Sequence, residues 1–179
     1  MQNADPAPEQ QPAWNPSDKA ASLRAWVDFL TLKAKEYFER DKTHGSMIFL
    51  FADTGIAGVN LVPPNVPQEG VADGIRNAVA EHKLYAAIHI SEAWAYFGKS
   101  GKDHTLHQLR DGEMNVSDLH DGDKTEALML RMESRDGACI TWLAEIVREG
   151  DQVKLGREAT FKRESRSDGR PGWFEPPEA

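Results

Sequence analysis

At 179 residues, with 40% hydrophobic and 28% charged positions, the chain has the length and apolar content of one soluble domain. Its formal net charge of −8 runs against non-specific binding to nucleic acid, which needs clustered Lys and Arg. One cysteine, Cys139, excludes an internal disulfide, and no apolar run approaches the ~20 residues that cross a bilayer.

In chain order, residues 1–15 are rich in Pro, Gln, Ala and Asp and are expected to be a disordered tail. They hold neither the basic nor the apolar region of a secretory signal, so the expected location is cytoplasmic, with no membrane partner. Asn15 as cap and Pro16 at the first helical position announce a helix to about Arg40. In it Leu23, Trp26, Val27, Leu30, Ala34, Tyr37 and Phe38 recur at three- and four-residue spacing, which makes one apolar face. Gly45 is expected to end it, and Met47–Phe51 reads as a short buried strand. Residues 53–64, with two glycines and two prolines, read as a loop. A second helix follows, with Val71, Ile75, Ala78 and Val79 on its buried side and an end near His82-Lys83. Strand–helix–strand order suggests a crossover between parallel strands.

The stretch 84–97, LYAAIHISEAWAYF, is the centre of the pattern. Both alternating faces are mostly small or apolar, as in a strand inside a sheet. Glu92 lies on the more apolar face, where a carboxylate must be paired, neutralised or open to a cleft. Gly98 to Asp123 reads as a long polar loop. Then Glu126–Met132 and Ala138–Val147 flank Arg135-Asp136-Gly137. With Gly137 left-handed in a three-residue loop, Met132 pairs with Ile140, Leu130 with Trp142 and Leu128 with Ala144, giving one apolar face. A further turn near Glu149-Gly150-Asp151 completes a meander. The expected fold is therefore α+β: a mixed, mostly antiparallel sheet of about five strands with a C-terminal meander, covered by two helices. One domain would span 16–162, with 163–179 a flexible tail.

Few residues point to chemistry. Glu92 and Glu126 both fall on apolar faces, and converging carboxylates are how acid/base sites separate their pKa values; structural ion pairs use the same residues. His104, His107, His120 and Asp123 have the right ligand types for zinc, yet their spacing matches no metal motif, so a solvated loop is the simpler reading and no metal is assigned. Gly98-Lys99-Ser100 lacks the upstream glycine and the helix of a phosphate loop. Cys139 alternates with core residues and reads as inert. No catalytic residue and no cofactor is assigned. Trp14 and Trp173-Phe174, in polar surroundings, either anchor a partner or fold back onto the domain's own surface.

Ser91-Glu92-Ala93-Trp94, a segment ending Asp121-Gly-Asp-Lys-Thr-Glu-Ala-Leu128, and a strand ending Glu145-Ile-Val-Arg148 resemble a loose family of small uncharacterised bacterial and phage proteins. In these a Glu-Ala-Trp strand precedes a Glu-Ala-Leu strand; this chain has Lys124 where the pattern has Arg. The resemblance covers residues 84–148 and implies no activity, but it groups Glu92, Trp94 and Glu126 as a structural or binding cluster. The expected function is a non-enzymatic bacterial or phage accessory protein with an unknown protein partner. A carboxylate- or metal-dependent hydrolase is the alternative, and an acidic nucleic-acid mimic the weaker one.

Overall fold

Helix α1 (Lys19–Asp41) buries Leu23, Trp26, Val27, Leu30, Ala34 and Phe38 of the face that its spacing predicts, while Tyr37, expected on that face, is exposed at its rim with the Arg40 guanidinium over its ring. Its start and stop differ from expectation. Asp18, not Asn15, caps it by accepting the Ala21 N–H at 3.0 Å, while Asn15 forms a turn just upstream by accepting the N–H groups of Ser17 and Asp18. Lys42, not Gly45, takes the left-handed conformation (φ 60°) and donates its N–H to the Phe38 carbonyl. The structure, a computed structural model, describes residues 10–98, 104–111, 114, 116–163 and 172–174.

The remaining elements are β1 (Met47–Ala52), β2 (Gly55–Leu61), α2 (Gln68–His82), β3 (Ala86–Ala95), α3 (His104–Asp111), β4 (Thr125–Ser134), β5 (Cys139–Glu149) and β6 (Gln152–Arg163). The strands form one sheet in the order β2-β1-β3-β4-β5-β6, and every neighbouring pair is antiparallel. The fold is α+β as expected, with six strands rather than about five and no parallel pair among the described residues. The additional strand is β2, within the segment read as a loop. Its glycines serve geometry instead of breaking the strand. Gly55 (φ 129°) closes the tight turn from β1, and a Cβ there would stand 3.4 Å from the Trp14 side chain. A bulge between Leu50 and Phe51 shifts the register once.

That hidden strand also corrects the crossover. β1 and β3 are neighbours, but antiparallel, because β2 has already reversed the chain. Helix α2 connects β2 to β3, which run the same way on either side of β1. The meander register is as predicted: Met132 faces Ile140, Leu130 faces Trp142 and Leu128 faces Ala144, with Gly137 at φ 85°. Gly150 (φ 60°) makes the next turn, between Glu149 and Gln152. In the segment expected to be a long loop, α3 and single 3-10 turns at Val116–Asp118 and Asp121–Asp123 are present.

The sheet has a core on each face. Under α1 lie Phe49, Phe51, Ile88, Ile90, Leu128, Leu130, Met132, Ile140 and Trp142. Against the opposite face, Val71 and Ile75 of α2 pack with Ile48, Leu50, Leu84 and Ala87. Two tryptophans from outside the regular elements complete these layers. Trp14 stacks on Phe51 (ring centroids 5.4 Å apart) and donates its Nε1–H to the Asp53 carbonyl. Trp173 is buried on the α2 side. Both therefore fold back onto the domain.

Candidate functional site

Pairing of β3 with β4 brings the sequence-selected cluster together. Glu92 lies opposite Leu128, and Trp94 opposite Glu126, all on the α1 side of the sheet. Arg148 near the end of β5 reaches both acids: its Nε donates to Glu126 Oε2 at 2.6 Å, and a terminal nitrogen stands 4.0 Å from Glu92 Oε2. The hydrogen bond it donates to Glu126, with the charge of Glu126 and then that of Glu92, holds the arginine more firmly protonated than usual. Glu92 has a second task. Its Oε1 accepts the Thr43 hydroxyl at 3.0 Å and the His44 N–H at 2.6 Å, which fixes the chain as it leaves α1. Trp94, by contrast, is 60% exposed beside these paired groups.

A groove of about 390 Å³ runs from this region along α1 towards the β2 edge, lined by Phe29, Lys33, Tyr37, His44, Met47, Ile56, Val59 and Ile90.

The opposite face holds a cluster that the sequence reading did not select. His89 and Arg131 are cross-strand partners, and Glu133 follows two residues along the same face. Glu133, only 2% exposed, accepts hydrogen bonds from the Arg131 guanidinium and, at 2.7 Å, from the Trp173 N–H. Arg131 lies over the Trp173 ring, 5.3 Å from its centroid. His89 Nε2 stands 2.8 Å from Ser46 Oγ. Burial, assisted by the Arg131 charge, pushes the imidazole down to about 4, so the ring is neutral near pH 7. Serine beside a neutral imidazole is also the beginning of a nucleophile–base pair. Here the ring is 6% exposed and faces Trp173, and the two Glu133 oxygens serve Arg131 and Trp173. The arrangement is that of a packed polar layer. The available signal was parity, since His89, Arg131 and Glu133 share one face once the β3–β4 register is known.

Among the metal candidates, His104 and His107 fall three apart on α3, His120 precedes the last 3-10 turn and Asp123 ends it. Among the described residues no group of three or more His, Cys, Asp or Glu could hold a metal ion. Gly98 is described, but Lys99 and Ser100 lie outside the described residues. Among the described residues no helix is long and apolar enough to cross a membrane.

Comparison with protein families gives one decisive observation: the model for bacteriophage lambda protein ea47 matches residues 10–171. The chain belongs to that family. The match takes in Trp14, both long helices and all six strands, and so the whole Glu92–Trp94–Glu126 surface; Trp173 lies just beyond it. The expected tie to phage proteins thus holds at the level of the Ea47 family. No curated protein and no solved structure matches the chain.

Proposed function

We propose that this Ea47-family protein is a non-enzymatic phage accessory protein, cytoplasmic in the infected cell, that acts by binding another protein through the surface around Trp94. The observation that carries this reading is the exposure of Trp94, 60%, on a face whose neighbouring polar groups are already held in place. Exposed tryptophans are favoured anchors at interfaces, and a surface that need not reorganise binds at lower entropic cost. The flanking carboxylates and the net charge of −8 suit a basic partner surface. The hydrolytic alternative asks Glu92 and Glu126 to act as acid and base. Arg148 and the Thr43–His44 segment instead employ both carboxylates in fixed pairings, which favours binding. Within this reading, the Glu92-Ala93-Trp94 and Glu126-Ala127-Leu128 strands mark the family's shared surface.

The test is a quantitative pull-down from host lysate with the full chain and its Trp94→Ala variant. A partner retained by the parent chain and weakened roughly 30-fold or more by the variant, as for an anchor residue, supports the reading. Unchanged capture of the same proteins by Trp94→Ala overturns it.

A further inference from the structure

The two edges of the sheet carry opposite protection. β6 holds Lys154, Arg157, Glu158 and Lys162, charges that discourage another strand from docking. β2 (GIAGVNL) has neither a charge nor a proline. The N–H of Val62 donates to the Ser46 carbonyl, and Asn60 and Gly58 are partners of Ile48 and Leu50. Main-chain direction alternates along a strand, so Val59 and Leu61 turn their N–H and C=O groups away from β1. No described strand lies on that side. Their side chains point to the α1 face of the sheet with that of Ile56, and the three are 47%, 75% and 41% exposed. With Tyr37 across the groove they expose on the order of 350 Å² of apolar surface, the size at which a patch on a soluble protein carries meaning.

We propose that β2 pairs antiparallel with β2 of a second copy of this chain, about a two-fold axis at Asn60. Val59 of each copy then lies opposite Leu61 of the other, with the outward main-chain groups hydrogen-bonded across the axis. The four exposed side chains form one cluster beside the two grooves, and on the reverse face Asn60 meets its twin, amide to amide. The occupant is a second copy because the outward positions, 59 and 61, are symmetric about 60 and uncharged. One patch therefore serves both partners. The bulge at one end and Pro63 at the other confine the pairing to the regular stretch between them. The joined sheet has twelve strands and ends in two charged β6 edges, so assembly stops at two copies. Two apolar patches of this size make a contact below the standard size for specific association. The dimer is therefore weak and concentration-dependent. Since each copy carries −8, added salt strengthens it.

Sedimentation equilibrium of the full chain, from about 1 to about 500 μM at low and high salt, tests this; the parent chain should pass from monomer to dimer within that range. Val59→Lys and Leu61→Lys, both at exposed sites, should each give a monomer throughout with an unchanged melting temperature. A parent chain that stays monomeric at the highest concentration overturns the proposal, as does a dimer that both variants retain. Dissociation by salt would also overturn it, since it would assign the contact to charge.

Discussion

On the α1 side of the sheet, Glu92 and Glu126 are 26% and 35% exposed and share an arginine that is itself half in water. On the α2 side, Glu133 is 2% exposed and takes its arginine and a backbone N–H inside a packed layer, with neutral His89 alongside. Both faces carry a carboxylate on a strand, and β4 contributes one acid to each. The difference lies in what replaces water. At the rim solvent still shares the load, so those acids keep part of their hydration beside Arg148. In the interior every lost hydration bond must be replaced by protein, and the groups become structural.

Removing the interior acid should expose this contrast most sharply. Glu133→Ala leaves Arg131 without its partner and the Trp173 N–H unbonded, and should cost about 3 kcal/mol, lowering the melting temperature by roughly 10 °C. A loss below about 1 kcal/mol in urea unfolding would mean that water already reaches the site. Acid should act on the same face. The His89 imidazole is depressed from 6.5 to about 4 in the folded chain, so its neutral form stabilises the fold fully above pH 6.5. As pH falls from 6.5 towards 4, the unfolded chain takes up a proton that the folded one does not, and about 3 kcal/mol is lost. His89→Gln should remove that part of the slope in urea midpoints measured across the interval, and an unaltered slope would assign it to other groups. The rim should respond least. Glu92→Ala leaves the His44 N–H without its acceptor, at about 1 kcal/mol. Glu92→Gln keeps an oxygen for Thr43 and His44 and should melt close to the parent chain; a large loss with Gln would show that the negative charge itself is needed.

Local patterns made much of this architecture legible. The spacing in α1 gave its buried face, and the turn at Arg135-Asp136-Gly137 fixed the β4–β5 register, because the apolar residues line up in only one arrangement. β2 was not legible. Its pairing with β1 and contact with Trp14 outweigh two glycines that signal a loop, and both contacts are tertiary. Missing that strand also reversed the expected direction of β3 relative to β1. The nearness of Glu92 to Glu126 required strand order, which the long connection between β3 and β4 conceals. The His89–Glu133 layer needed the same order, along with Trp173 from a distant part of the chain.

β3 belongs to both layers at once: Ile88 and Ile90 face α1, while Ala87 and His89 face α2. Adding or deleting a single residue there would exchange the contents of the two layers, sending the imidazole into grease and the isoleucines into the polar pocket. A substitution in this segment disturbs one layer, whereas a change of its length by one residue disturbs both.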